Sequence, residues 1–326
     1  MLCAMRVKRG AAIDADAGFS LVELLVATSI FLIVSAVVTS GLFQATNSQR
    51  AVANRVDMHA GVRSATELLQ QEVGQAGRIA LPGVATLGAA AAAGSQTVGV
   101  SMAINGAAAA SSVSGLFAGE QLVIDSGNNQ QETVVLTAVN TTAKQITATF
   151  AKAHNAGVPI QVFGGFGTGI VPPQPGFTNG STGTILKLYG DLNGDGNMVY
   201  VEYSCDPTSG NLYRNSMAFD AASKPAVTSS QALLDNIQAN PGGTACFSYM
   251  PSPLPVVNGS TYVLDIAITL TVHTEGKDPT TNLIQTETKA LLNVSPRNVF
   301  EVWQLASANV TDRLQPMPAS VANLLP

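Results

Sequence analysis

Apolar and polar positions follow three different rhythms along this chain. From Phe19 to Phe43 the sequence FSLVELLVATSIFLIVSAVVTSGLF is apolar throughout, with Glu23 its single charge. At a rise of about 1.5 Å per residue, a helix of that length crosses the hydrocarbon core of a bilayer. A helical rhythm then continues. Val52, Val56, Ala65, Leu69, Val73 and Ala76 fall on one stripe, which places Arg50, Arg55, Arg63, Glu67 and Glu72 elsewhere on the helix surface. Gly77 and Pro82 are the stop signals, so one helix is predicted over 19–80.

Beyond the helix the rhythm shortens to two. Gln121–Asp125, Thr133–Val139, Gln145–Phe150 and Pro159–Phe163 read as antiparallel hairpins of a small β-module, assigned to 116–170. Thr184–Tyr189, Met198–Tyr203, Tyr262–His273 and Thr286–Val294 predict a second β-region over 171–299. Between helix and module, 81–115 is rich in Ala and Gly, includes the run Ala89–Ala93, and reads as a connector. Residues 300–326 read as a C-terminal tail with a short helix around Val302–Ala308. The fold class expected is α+β: a long helix, transmembrane in its first half, on an antiparallel sheet, with an additional small β-module.

Composition agrees with many short strands and turns. Of 326 residues only 11% are charged and 6% aromatic, with 30 Gly and 16 Pro, a mixture unlike that of a helical enzyme. A net charge of −5 gives no basic footprint for nucleic acid. Arg6, Lys8 and Arg9 precede the apolar stretch, which keeps that end cytoplasmic and exports the rest.

An ordinary secretory signal is cut after its apolar stretch. Here the attractive cut lies before it, between Gly18 and Phe19. The run Gly18-Phe19-Ser20-Leu21-Val22-Glu23-Leu24-Leu25-Val26-Ala27 resembles the leader junction of type IV prepilins and type II secretion pseudopilins. The resemblance implies removal of 1–18 by a prepilin peptidase and N-methylation of the new amine on Phe19. It also implies residence in the inner membrane, then assembly with other pilin or pseudopilin subunits into a surface pilus or a periplasmic pseudopilus. Glu23 is costly in lipid unless paired or protonated. The natural partner is the Phe19 amine of a neighbouring subunit, which would set helix register; the alternative is a side chain that snorkels to the interface.

Two further stretches carry a resemblance. Glu67-Leu-Leu-Gln-Gln-Glu-Val-Gly-Gln-Ala-Gly77 is similar to the end of the long helix in PilW-like minor pilins and J-type pseudopilins, and Val294-Ser-Pro-Arg-Asn298 to the end of many such subunits. The implied function is a structural minor pilin of a type IV pilus, supporting its assembly and through it adhesion or motility. A J-type pseudopilin is the alternative within the class, and a membrane-tethered adhesin the alternative outside it.

Loss of the leader removes Cys3 and leaves Cys205 and Cys246. In an exported protein that is the arithmetic of one disulfide, against two unrelated buried thiols. Enzymatic constellations are missing from the sequence. It has no G-x-S-x-G, P-loop or C-x-x-C, and His59, His154 and His273 are widely separated. No enzyme is expected. One motif remains: Asp191, Asn193, Asp195, Gly196, Asn197 and Glu202 fit the spacing of an EF-hand calcium loop, D-x-[DN]-x-[DN]-G-x5-E. Its flanks read as strands, so the choice is between an isolated Ca2+ loop and a polar hairpin turn.

Overall fold

The chain is α+β, a long N-terminal helix followed by antiparallel sheets. The computed structural model describes residues 19–173, 179–279 and 281–326. They fall into two compact units, one reaching to Ala53 and including Lys277–Leu283, the other comprising Asn54–Gly276 with Ile284–Pro326.

Helix α1 covers Leu21–Gln75. Ser20 and Glu23 start it with a reciprocal capping box: Ser20 Oγ accepts the Glu23 N–H at 3.2 Å, and Glu23 Oε2 accepts the Ser20 N–H at 3.3 Å. Gly77 stops it. Its φ is +80°, its N–H donates to Tyr189 O at 2.9 Å, and a Cβ there would lie 2.7 Å from Phe166 O. Only glycine meets both demands. Over Asn54–Gln75, α1 buries Ala65, Leu69 and Val73 of the expected stripe, together with Val62, whereas Val52 and Val56 of that stripe are exposed. Glu72 departs from the expectation of a surface position, being only 1% exposed.

Seven strands form the small module: β1 (Gly83–Leu87), β2 (Gly94–Ile104), β3 (Ala110–Ser111), β4 (Gln121–Ile124), β5 (Glu132–Asn140), β6 (Gln145–Phe150) and β7 (Pro159–Val162). Strand order β1-β7-β4-β5-β6-β2, with β1 also paired to β2, closes six of them into an antiparallel barrel. Strand β2 makes closure possible by its length. It pairs with β6 over Gly94–Gly99 and with β1 over Val100–Ile104. Leu87, Val98, Val100, Met102, Leu122, Ile146 and Phe150 are among the residues that fill the interior, so the barrel is a packed core and not a pore. The expected connector 81–115 therefore supplies three strands, two of them in the closed barrel. Val98, Val100 and Met102 alternate as a strand should, but Gly, Ser and Ala at the outward positions blur the contrast that marks one.

The remaining strands build the rest of the head: β8 (Gly165–Phe166), β9 (Ile185–Gly190), β10 (Val199–Asp206), β11 (Asn211–Ala218), β12 (Ala232–Leu234), β13 (Ile237–Gln238), β14 (Phe247–Met250), β15 (Val256–Val257), β16 (Ser260–Thr261), β17 (Asp265–His273) and β18 (Thr286–Val294). One sheet runs β12-β11-β10-β9; in another, β17 pairs with β13, β14 and β18. The first sheet is buried on both faces. Leu186, Leu188, Val201 and Tyr203 share a core with α1 and β17, whereas Tyr189, Met198 and Tyr200 join a separate core.

That second core corrects the reading of 300–326 as a tail. Helix α2 (Arg297–Ser307) buries Val299, Val302 and Ala306, strand β19 (Leu314–Gln315) pairs in parallel with β8, and helix α3 (Ala319–Leu324) sets Val321 and Leu324 beside Tyr189 and Tyr200.

Candidate assembly segment and polar sites of the head

The first residues of α1 carry an unusual surface. Leu21, Leu25, Phe31, Ile33, Val37 and Phe43 are all well over half exposed. Among the described residues α1 is the one helix long and apolar enough to cross a membrane. A continuous apolar surface of this size does not stay in water and calls for lipid or for other helices. Phe19 and Glu23 stand at its tip. Glu23 is exposed and engaged with Ser20, which gives the carboxylate a local role at the helix N-terminus, where negative charge is favoured. The proposed cut between Gly18 and Phe19 involves Gly18, which lies outside the described residues.

The acidic sequence from Asp191 to Asn197 forms the β9–β10 connection. Asp191 is buried, its Oδ1 accepting the Asp195 N–H at 3.1 Å and its Oδ2 lying 3.4 Å from Arg78 Nε. Asp195 Oδ1 accepts the Asn197 N–H at 2.8 Å, and Asn193 belongs to the same turn. Glu202 is not brought to them. The ladder pairs it with Lys187, three residue pairs beyond Val199↔Gly190, which is about 10 Å along a strand. Its carboxylate lies 2.7 Å from Lys224 Nζ and accepts from Tyr200 Oη–H at 3.1 Å. The twelve-residue cage is thus not assembled: a helical loop returns its last Glu to the turn, whereas a strand carries it away. Among the described residues no group of three or more His, Cys, Asp or Glu side chains is gathered to hold a metal ion.

Cys205 and Cys246 are joined as a disulfide across 41 positions, tying β10 to the segment that enters β14. Both half-cystines are buried in the core under α1. Loop-closure reasoning gives the bond about 3–4 kcal/mol.

Three buried polar groups went unmarked by sequence motifs. Glu72 accepts from Tyr203 Oη–H at 2.6 Å and receives the Arg214 guanidinium in a forked contact, with Nε at 3.1 Å. At one end of the barrel, His154 Nε2 lies 2.6 Å from Glu132 Oε1 and its Nδ1 lies 3.9 Å from Asp125 Oδ2. Burial pushes the Glu132 pKa up, but the His154 contact and the N–H groups of Ala151 and Lys152 outweigh it and leave the carboxyl below its ordinary range. His154 thus links the β6–β7 connection to Glu132 at the start of β5. Glu120, fully buried, has one oxygen on the Phe117 N–H at 3.1 Å.

With this geometry in view, the comparisons with known proteins are narrow and specific. Residues 14–39 match the prokaryotic N-terminal methylation motif. No curated protein and no solved structure matches the chain. The motif and the apolar helix behind it make the chain type IV pilin-like or pseudopilin-like at its N-terminus. They imply processing by a peptidase, anchoring in the membrane before assembly, and assembly with other pilin-type subunits.

Proposed function

We propose that this chain is a structural minor pilin of a type IV pilus, of the PilW-like kind, cleaved before Phe19 and built into the filament through α1, with no catalysis of its own. The observation that carries the reading is the methylation motif at the head of an apolar stretch, 19–43, whose large side chains find no cover among the described residues. A cut ahead of this stretch preserves it as an assembly surface, where an ordinary secretory cut would discard it. The β-barrel adds bulk that a simple building-block subunit does not need, which favours a specialised subunit present in few copies.

Mass spectrometry of the native protein is expected to find a methylated Phe19 at its N-terminus. An N-terminus at Met1, or one beyond Phe43, would overturn the assignment. Recovery in sheared surface pili supports the pilus over a periplasmic pseudopilus; loss of protein secretion with intact pili on deletion supports the J-type pseudopilin. Glu23→Ala should leave membrane insertion unchanged, since it removes a charge from the span, and reduce incorporation into filaments several-fold. Wild-type levels of the variant in sheared filaments would rule out an assembly role for Glu23.

A further inference from the structure

The barrel and the β9–β12 sheet are consecutive in sequence, but the residues that grip both come from the far end of the chain. At the barrel, two glutamines exchange amide contacts. The Gln121 N–H donates to Gln315 Oε1 at 2.9 Å, and Gln315 Nε2 donates to Gln121 O at 2.9 Å and to Phe163 O at 3.1 Å. Gln121 Nε2 answers on Leu314 O at 3.0 Å. The backbone is so close that a Cβ on Gly164 would sit 1.8 Å from Arg313 O.

Ten residues later the same segment grips the sheet. Lys187, buried on β9, donates from Nζ to Leu325 O and to Asn179 O, the latter at 2.9 Å. Burial lowers the pKa of this ammonium, and Glu202, 3.8 Å away, offsets part of that cost. An ammonium buried to hold a backbone carbonyl is an expensive contact, kept only where the carbonyl must stay. Val321 and Leu324 complete the apolar core that receives Phe117 from the barrel's β3–β4 connection, 6.3 Å from the Phe219 ring and 5.9 Å from Phe166. The polar grip and the apolar grip are thus continuous through one short stretch of chain.

We propose that residues 311–326 are a clasp that locks the β-barrel onto the β9–β12 sheet, and that its two grips, the Gln121–Gln315 exchange and the Lys187–Leu325 contact, open and close as one unit.

Hydrogen exchange with mass spectrometry on the full chain in detergent micelles tests the coupling. In Lys187→Met, which removes the ammonium that holds the clasp at the sheet grip, the amides of Gln121 and of 314–315 should exchange roughly tenfold faster, while β5–β6 and β10–β11 keep their protection. Gln315→Ala, which removes the side-chain amide at the barrel grip, should reverse the reading and accelerate 319–326. Acceleration confined to the substituted end would overturn the clasp, leaving two independent contacts. Acceleration of β5–β6 and β10–β11 together with the clasp in both variants would also overturn it, since the segment would then open only with the whole head.

Discussion

Glu72→Ala is expected to destabilise the head by about 3–5 kcal/mol, the cost of breaking a buried ion pair by removing one partner. The carboxylate sits on α1 and its partners sit on the sheet, Arg214 on β11 and Tyr203 on β10. Burial and the neighbouring negative charge both push the Tyr203 hydroxyl pKa upward, so it stays a donor. Burial alone would lower the Arg214 pKa, but its contacts with Glu72 reverse that and raise it. Removing Glu72 leaves the part-buried Arg214 guanidinium and the buried Tyr203 hydroxyl without their partner, beside a core that includes Leu69, Val73, Leu186 and Val201. The double substitution Glu72→Ala with Arg214→Met removes both charges and should regain most of the loss. Urea midpoints of the four proteins of this cycle check the expectation. A single variant within about 0.5 kcal/mol of wild type would show that water or rearrangement already satisfies Arg214.

Glu72 also shows what the sequence did and did not disclose. Read by residue type, it joined Glu67 on the helix surface. Read by spacing, Leu69, Glu72, Val73 and Ala76 are i, i+3, i+4 and i+7, one face of a helix, and the position was there to be found. The N-terminal methylation motif was legible because its chemistry is local: it lies within 14–39, and the apolar run it leads into needs no tertiary context. Strands β6 and β18 were legible for the same reason, each an alternating run bounded by turns. Strands β1 and β2 were hidden by outward Gly, Ala and Ser. The clasp was hidden because Gln121 and Gln315 meet over 194 positions, and nothing in either sequence neighbourhood signals the other. The EF-hand spacing misled for a related reason. Spacing fixes ligand geometry only when the backbone conformation is known, and an extended β10 carries Glu202 away from the turn.

Glu120→Gln should make the protein more stable near neutral pH, and the gain should depend on pH. Glu120 is fully buried at the entry to β4, with Oε2 on the Phe117 N–H and no hydrogen-bond partner for Oε1 among the described residues. Burial pushes its pKa up to about 8, offset only in part by the Phe117 contact. The folded state therefore keeps this carboxyl protonated at neutral pH, whereas the unfolded chain ionises it near 4.5. Between those two values the folded state binds one more proton than the unfolded state, so stability falls as pH rises. The stabilising preference is fully present below the unfolded pKa and is lost by the time pH passes the folded one. At about 1.4 kcal/mol per unit, the window amounts to about 3–5 kcal/mol. Glu120→Gln keeps the acceptor for Phe117 and does not titrate, so subtracting its stability from that of wild type isolates this one group. The difference should be small at pH 4, widen in favour of the variant through pH 5 to 8, and level off above. Urea unfolding of both proteins across that range measures it, and a difference that stays constant from pH 4 to 8 would mean that the carboxyl reaches solvent or a cation when it ionises.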